Sequence, residues 1–356
     1  MNAGAAPGIA IVPTLAAFAA AATLLSALVT GATLAYARRR GLLDHPGKRR
    51  SHRIPTPRGG GTGIVAAILL AGLPAWRVLD PTVPVWSLAA VAGAVVAVAL
   101  VGWRDDHAPL PVLPRLMVHA GAALLVGIVA IRPWADQDAH AWWMLVPLVP
   151  LLAGFVNVHN FMDGIDAILG QQGLFVMSGF GVLAAAADES GIAGLAFASG
   201  AACLGFLVFN RPPAKIFMGD VGSGALGLVI GTVGTLLVQR DPAMLWACAI
   251  LPSAFLVDAG LTLARRVLGG QRWYAPHRQH LYQWLVRINW SHARTDVAYM
   301  TWNLVIVAPL AWLAASSPER GAWPLIAAYA SGAAIWWIGK HACLGVARRA
   351  VGHEDA

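Results

Sequence analysis

The chain has 356 residues, of which 58% are hydrophobic and only 12% are charged. Because soluble proteins carry about 25% charged residues, this composition excludes a soluble protein and indicates an integral membrane protein. The net charge of +8 alone would suggest a nucleic-acid partner, but the basic residues lie in loops between apolar segments, so none is expected.

Apolar runs of about 17 to 25 residues, long enough to cross a bilayer as helices, recur along the chain. They predict an all-α, polytopic membrane protein with about eleven transmembrane helices. No linker separates a soluble part, so residues 1–356 are expected to form one domain. The predicted segments are 8–36, 60–79, 84–103, 115–133, 141–160, 173–187, 192–210, 222–239, 243–264, 298–315 and 321–340.

The lysines and arginines divide unequally between the two sides of these segments. Alternate loops and the C-terminal end hold 21 of the 25, and the other side holds the rest. The positive-inside rule makes the basic side cytoplasmic, with the N-terminus outside and the C-terminus inside. The main cytoplasmic loops are then about 37–59, 104–114, 161–172, 211–221 and 265–297.

The first cytoplasmic loop places basic residues before a glycine run at the start of a predicted helix. Arg50, His52 and Arg58 precede Gly59-Gly60-Gly61. The positive end of a helix attracts phosphate, and guanidinium groups bind it in a forked geometry. The alternative is an anchor on anionic lipid, which is preferred for the upstream run 38–40.

Two carboxylates, Asp105 and Asp106, follow the third predicted helix. Adjacent acids repel each other, and a bound cation or proton is the usual reason to tolerate them. A pair of this kind is a weak signal by itself.

The fifth predicted helix ends in a polar stretch that contains Asn157, Asn160, Asp163 and Asp166. Neighbours three residues apart share a helix face, so the two carboxamides are expected to point together. Fraying of the helix near Gly164 would let the two acids converge on a ligand. The alternative is a capping cluster that exposes its acids to water.

The seventh loop carries Lys215 and then Asp220 between glycines, at the start of another predicted helix. A carboxylate there suits a hard metal ion beside a phosphate-binding backbone, and the alternative is a glycine-rich turn. In the ninth predicted helix, Asp258 either faces a ligand or pairs with Arg265 and Arg266.

The ninth loop is the longest and carries His277, Arg278 and His280. If helical, the two histidines are neighbours, and neutral imidazoles with a guanidinium suit a diphosphate. The alternative is an amphipathic helix at the membrane surface. All these polar clusters fall on the predicted cytoplasmic side, which predicts one active site there.

Five ordered motifs resemble the polyprenyl-phosphate N-acetylhexosamine-1-phosphate transferases, which include MraY, WecA and WbpL. The histidine motif H-R-x-H-x-Y-Q is similar to that of the WbpL-like, O-antigen branch. The motifs are D-x-P-x-x-R-S-H-x-x-P-T-P-R-G-G-G at Asp44–Gly61, G-x-x-D-D-x-x-x-L at Gly102–Leu110, N-x-x-N-x-x-D-G-I-D at Asn157–Asp166, N-x-x-P-A-K-I-F-M-G-D-x-G-S at Asn210–Ser223 and the histidine motif at His277–Gln283.

The resemblance implies an enzyme of the glycosyltransferase family 4 type. It would transfer a sugar-1-phosphate from a UDP-N-acetylhexosamine to undecaprenyl phosphate, release UMP and require Mg²⁺, with Mn²⁺ as a substitute. It implies a multi-pass protein of the bacterial inner membrane whose active site faces the cytoplasm, and it leaves a homodimer open. Direct attack by the lipid phosphate and an aspartyl-phosphate intermediate are both compatible with the motifs.

The resemblance also assigns roles to residues of this chain. Asp220 matches the metal-binding aspartate, with Asp105 or Asp106 as an alternative ligand, and catalysis falls to Asp105, Asp106 and Asp163. The implied substrate-binding residues are Arg50, His52, Arg58, Asn157, Asn160, Asp166, Lys215, His277, Arg278 and His280.

Two positions depart from the family pattern: Ala167 stands where glycine is common, and His119 where glutamine is common. Neither removes a ligand. The histidine motif favours initiation of O-antigen or a related surface polysaccharide, with UDP-N-acetylglucosamine, UDP-N-acetylfucosamine or UDP-N-acetylquinovosamine as donor. The competing hypotheses are an ion-coupled transporter, which predicts acids near the bilayer midplane, and an inactive assembly scaffold.

Overall fold

A computed structural model of the protein describes residues 7–45, 54–272 and 277–354. These residues form helices joined by short loops, together with an antiparallel pairing of β1 (Leu43–Asp44) with β2 (Thr56–Pro57). The helices are α1 (Pro7–Arg40), α2 (Thr62–Ala67), α3 (Leu73–Leu79), α4 (Val85–His107), α5 (Val112–Ala135), α6 (Leu145–Met162), α7 (Ile168–Ala186), α8 (Ser190–Asn210), α9 (Asp220–Arg240), α10 (Leu245–Ile250), α11 (Ser253–Leu268), α12 (Leu281–Arg287), α13 (His292–Trp302), α14 (Ala308–Ser316) and α15 (Ala322–Glu354). Five-residue π-helical turns continue α2 into α3 and α13 into α14.

Within the described ranges, nine helical segments are long and apolar enough to cross a membrane, and a bent pair of helices brings the number to ten. The all-α, polytopic class is therefore confirmed, with nine or ten such segments in place of about eleven. The predicted segment 321–340 lies in α15, which is not among them. In α15, tryptophan, tyrosine, serine and glycine dilute the aliphatic residues.

The predicted segment 243–264 is not one straight helix. It is divided between α10 and α11, and the pair that crosses the break bends by 68°. Pro252 lies in the break, directly before α11. Proline has no N–H to donate and its ring collides with the preceding turn, which accounts for the bend.

Helix α9 lies at the centre of the protein. The apolar window of α9 is 89% buried, whereas that of α1 is 11% buried. Its glycines let neighbouring helices approach closely: a Cβ on Gly227 would lie 2.6 Å from the carbonyl oxygen of Phe155 on α6. This packing brings the first residue of α9, Asp220, to the point where α4 and α6 end.

Candidate active site

The start of α9 lies against the end of α4. The backbone N–H groups of Asp220 and Val221 donate hydrogen bonds to the carboxylate of Asp106, at 3.1 and 3.2 Å. A carboxylate in this position satisfies N–H groups that have no partner within the helix and interacts with the positive end of the helix dipole. Asp106 therefore caps α9.

Glycines make this close approach possible. Gly219 has φ +76°, and a Cβ there would lie 2.6 Å from the Asp106 carboxylate. A Cβ on Gly102 would overlap the carbonyl group of Asp220, and a Cβ on Gly61 would overlap the backbone of Gly222. The ends of α2, α4 and α9 thus meet through their backbones.

Backbone hydrogen bonds join the segment before α2 to the segment before α9. Phe217 donates to the carbonyl oxygen of Pro57 at 2.8 Å, and Gly60 donates to the carbonyl oxygen of Phe217 at 2.9 Å. Arg58 lies between these two bonds, and its guanidinium donates to the carbonyl oxygen of Asp106. The structure therefore places Arg58, predicted to bind phosphate, beside the acid pair.

Arg115, in the first turn of α5, joins two acids. Its guanidinium lies 2.8 Å from the carboxylate of Asp105 and 3.0 Å from that of Asp220. The other oxygen of Asp105 accepts the N–H of Leu110 at 2.6 Å. From the sequence, Arg115 was one of the 21 basic residues on the predicted cytoplasmic side and had no assigned role. The available signal was its position at the start of the helix that follows the acid pair.

The two carboxamides that were expected to point together contact different neighbours. Asn160 donates to the hydroxyl of Ser223 on α9 at 3.0 Å. Asn157 donates to the carbonyl oxygen of Ala153 in its own helix at 2.7 Å and hydrogen-bonds His119 of α5. Asn160 therefore lies with the acids at the start of α9, and Asn157 lies one turn away from them.

Helix α6 ends at Met162, and Asp163 follows it as the C-cap residue. Burial raises the pKa of the Asp163 carboxyl well above its usual range, and the nearby charges of Asp220, Asp106 and Asp166 raise it further. Four acids thus lie close enough to repel one another. Such a group favours a bound cation or a proton.

Asp166 does not share the contacts of Asp163. Its carboxylate accepts the N–H of Ala214 at 3.1 Å and lies 3.2 Å from Nδ1 of His292, the first residue of α13. It therefore joins the seventh loop to α13. Sequence reasoning missed His292, because 126 residues separate it from Asp166 and no local pattern connects them.

Ala167 has a left-handed backbone with φ +62°. Its N–H donates to the side chain of Asn210 at 2.9 Å, and Asn210 in turn donates to the carbonyl oxygen of Ile216 at 2.9 Å. Glycine adopts this conformation without the steric cost that a Cβ brings. This gives a physical reason for the glycine that the resemblance implies at this position.

Of three further predicted substrate-binding residues, the structure describes one, Lys215. The side chain of Lys215 is exposed, while its backbone N–H donates to the carbonyl oxygen of Phe209 at 2.8 Å. Arg50 and His52 lie outside the described residues.

The histidine segment, residues 277–283, leads into α12, and the two histidines do not lie in a helix. His277 precedes the helix, and His280 is its extended N-cap residue, with φ −61° and ψ 151°. The two rings are still neighbours, with centroids 4.9 Å apart. Arg278 between them is partly buried.

Burial lowers the pKa of the His277 imidazole to about 4, and the adjacent His280, Arg266 and Lys340 lower it further. The ring is therefore neutral at pH 7. It can donate and accept hydrogen bonds, but it does not supply positive charge to a phosphate.

One contact joins the histidine segment to the end of α6. The hydroxyl of Tyr282 donates to the carbonyl oxygen of Phe161 at 3.0 Å. A Cβ on Gly164 would overlap this hydroxyl. Tyr282 thus fixes the distance between the histidines and the acids.

The structure brings seven polar residues together at the start of α9, and this group is called the acid cluster below. Its members are Arg58, Asp105, Asp106, Arg115, Asn160, Asp163 and Asp220.

The donors of the acid cluster are those that Mg²⁺ prefers. Among the described residues, no three His, Cys, Asp or Glu side chains are arranged to hold a metal ion by themselves. However, Mg²⁺ is commonly bound by one or two carboxylates together with water and substrate phosphates. Both oxygens of Asp106 accept N–H groups of α9, and both oxygens of Asp105 contact Leu110 or Arg115. Arg115 contacts only one oxygen of Asp220, so Asp163 and Asp220 fit this role best.

Comparison with known proteins shows what this chain is similar to. A family model described as "Glycosyl transferase family 4" matches residues 88–238. The decaprenyl-phosphate N-acetylglucosaminephosphotransferase of Mycobacterium tuberculosis is 30% identical over 83% of this chain and 80% of its own length. A probable undecaprenyl-phosphate N-acetylglucosaminyl 1-phosphate transferase of Bacillus subtilis is 28% identical over 71% of this chain and 72% of its own length.

A third relative matches a shorter part of the chain. The phospho-N-acetylmuramoyl-pentapeptide-transferase of Listeria innocua is 33% identical over 37% of this chain and 40% of its own length. The acids at the start of α9 lie inside the region matched by the family model. The chain belongs to glycosyl transferase family 4, the family of the polyprenyl-phosphate N-acetylhexosamine-1-phosphate transferases.

Proposed function

We propose that this protein transfers N-acetylhexosamine-1-phosphate from a UDP-sugar to undecaprenyl phosphate. An oxygen of the lipid phosphate would attack the β-phosphorus of the UDP-sugar. The bond from that phosphorus to the bridging oxygen would break, so that UMP leaves and a lipid-linked diphosphate sugar forms. The observation that carries this proposal is the acid cluster, where carboxylates and two arginines meet at the start of a helix.

The arginines would bind the phosphates. Attack of one phosphate on another brings negative charges together, and fixed positive groups stabilise the transition state most where charge accumulates. Arg58 contacts Asp106, Arg115 contacts Asp105 and Asp220, and both arginines are partly exposed. Their forked geometry suits phosphate oxygens.

Asp163 and Asp220 would hold Mg²⁺, or Mn²⁺ in its place. When bound, the ion would neutralise diphosphate charge and orient the phosphorus for attack. Asn160, hydrogen-bonded to Ser223, lies beside these acids and would orient a water or a phosphate oxygen.

The lipid phosphate hardly needs a general base to remove a proton before it attacks. The second pKa of a phosphate monoester is about 6, so the lipid phosphate is largely a dianion at neutral pH. Asp105 and Asp106, to which the family resemblance gives catalytic roles, would then act mainly by positioning Arg115 and the start of α9. This favours direct attack over an aspartyl-phosphate intermediate.

The histidine segment would bind the donor. A neutral imidazole at His277 can donate one hydrogen bond and accept another, which suits the hydroxyl and amide groups of an N-acetylhexosamine. Two relatives are named for N-acetylglucosamine, while the form of the histidine motif resembles the O-antigen branch. The product would start O-antigen or a related surface polysaccharide.

The proposed location is the bacterial inner membrane, with the acid cluster facing the cytoplasm. The ends of α4, α6 and α11 and the starts of α2, α5, α7 and α9 lie on the side that carries most of the lysines and arginines. A water-soluble UDP-sugar and a lipid-soluble acceptor can meet at that boundary.

The test is UMP release by the purified protein with Mg²⁺, undecaprenyl phosphate and a panel of UDP-N-acetylhexosamines. Asp220→Ala should abolish release. Asp241→Ala is the control, because Asp241 is the C-cap residue at the other end of α9, where its carboxylate accepts the backbone N–H of Ala243 at 2.9 Å. Absence of release from every donor by folded protein would overturn the proposal.

A further inference from the structure

The carboxylate of Asp258 is a junction between four helices. Asp258 lies on α11 and is only 3% exposed. One oxygen accepts the N–H of Leu281 at 2.8 Å and the indole N–H of Trp336 at 3.1 Å. The other accepts the hydroxyl of Tyr299 at 2.7 Å and the N–H of Tyr282 at 3.4 Å. These donors belong to α12, α13 and α15.

This arrangement is neither of the two expected from the sequence. The carboxylate is buried, and the nearest histidine nitrogen, Nδ1 of His280, is 3.8 Å from it. Arg266 donates instead to Gln271 and to the carbonyl oxygen of Arg272. Asp258 therefore binds protein donors, two of which are the first backbone N–H groups of α12.

Those two backbone groups decide where the histidine segment lies. Leu281 and Tyr282 are both buried. The N–H of Tyr282 also contacts the Tyr299 hydroxyl, but loss of Asp258 would leave the N–H of Leu281 without its acceptor in a place that water does not reach. His280 directly precedes them, and its ring stacks on that of Tyr282 with centroids 5.8 Å apart. The position of His280, and through it that of His277, depends on this anchor.

Building on the proposed function, we propose that Asp258 is a positioning residue that holds the histidine segment where it meets the UDP-sugar donor. Asp258 acts through α12 and does not touch the substrate. Its loss misplaces His277, Arg278 and His280 but leaves the acid cluster in place, since no member of that cluster contacts Asp258 among the described residues.

The test compares Asp258→Ala and Asp258→Asn with Tyr299→Phe. Tyr299→Phe removes one hydrogen bond to the same carboxylate but leaves both backbone bonds to α12. In Asp258→Asn, the amide oxygen can still accept the N–H of Leu281, and the amide NH₂ can donate to the hydroxyl oxygen of Tyr299. The NH₂ cannot accept the N–H of Tyr282, so the variant loses mainly that bond. It provides a milder change if the alanine variant does not fold.

Two measurements separate positioning from general stability. Hydrogen exchange should rise in residues 277–287 of both Asp258 variants and stay unchanged at the start of α9. The KM for UDP-N-acetylglucosamine, or for the donor that the panel identifies, should rise about tenfold in Asp258→Asn, while the KM for undecaprenyl phosphate stays within about twofold. Tyr299→Phe should leave the exchange and both KM values near those of the wild type.

The inference is overturned if Tyr299→Phe matches Asp258→Asn in exchange and in donor KM, or if both KM values rise together. Exchange does not require turnover. A wild-type protein that releases no UMP therefore defeats the proposed function, while exchange in residues 277–287 still decides whether Asp258 holds the segment.

Discussion

The guanidinium of Arg115 lies 3.0 Å from the carboxylate of Asp220. The same group also binds Asp105, so a single cation links the end of α4 to the start of α9. In a cluster where four acids repel one another, this link compensates charge without closing the site to a metal ion, because one oxygen of Asp220 and the whole carboxylate of Asp163 are not bound by Arg115.

Arg115→Ala should lower kcat/KM by about 10- to 100-fold, because it removes a charged hydrogen bond of about 1.5 to 3 kcal/mol from the acid cluster. Arg115→Lys should recover only part of the activity, since an ammonium group does not reproduce the forked contact with two carboxylates. UMP release measures both effects.

Arg132 is the control for these variants. It lies on the same helix and pairs with Asp136, 3.7 Å away, in an exposed position. Arg132→Ala should leave UMP release within about twofold of the wild type. Full activity in Arg115→Ala would show that the reaction does not depend on Arg115.

Ala167→Gly should stabilise the protein by about 1 kcal/mol, because it relieves the cost of a Cβ at φ +62°. Chemical denaturation in detergent micelles measures the free energy of unfolding. Ala89→Gly, at an exposed position within α4, is the control. It should lower the free energy of unfolding, since glycine weakens an ordinary helix. Destabilisation by both substitutions would contradict the expectation.

The lowered pKa of His277 predicts a dependence of stability on pH. The pKa is about 4 in the folded protein against 6.5 for an ordinary histidine. Between these values the unfolded chain binds a proton that the folded chain does not, so stability falls as the pH falls. His277→Gln removes this contribution.

Melting temperatures recorded from about pH 7 to about pH 4 test this relationship. The wild-type value should fall more steeply than that of His277→Gln. Parallel curves would mean that the folded protein protonates His277 as readily as the unfolded chain does.

Gly164→Ala should reduce both stability and UMP release, because the new methyl group would overlap the Tyr282 hydroxyl. Overpacking of this kind costs about 1 to 3 kcal/mol. Tyr282→Phe removes the hydroxyl, so the same alanine should cost less in that background. A double-mutant cycle measures the difference.

Gly154→Ala is the matched control, because Gly154 lies within α6, which ends two residues before Gly164. A Cβ at Gly154 would meet nothing within 4 Å, so this substitution should be neutral or slightly stabilising. Additive effects of Gly164→Ala and Tyr282→Phe would show that the two positions do not interact.

The sequence predicts that four acids meet, but it also expects Asp166 to converge with Asp163, and it does not show how each acid is used. Asp105, Asp106, Asp163 and Asp220 follow or begin apolar segments that alternate in direction, and that alternation places them at one boundary. Their partners depend on how the helices cross. Asp106 caps α9 because Gly102 and Gly219 let α4 and α9 touch, and such crossings leave little trace in hydrophobic patterning. Asp105 binds Arg115 across the short loop between α4 and α5.

Contacts between distant segments were the least predictable. From the sequence, Asp258 was expected to face a ligand or to pair with the neighbouring arginines, yet its partners come from α12, α13 and α15. The bend after α10 has a local signal in the sequence, because Pro252 lies directly before α11. A local signal identifies a break in a helix, whereas a buried carboxylate reveals its partners only when the helices are assembled.

The contact between Gly61 and Gly222 has a mechanical consequence. Where two backbones touch directly, no larger or smaller side chain can adjust the distance between them, and any added atom must push the helices apart. The spacing at the start of α9 is therefore fixed by the backbones themselves. Under the proposed function, differences in donor specificity are expected in the histidine segment, where side chains, not backbones, set the spacing.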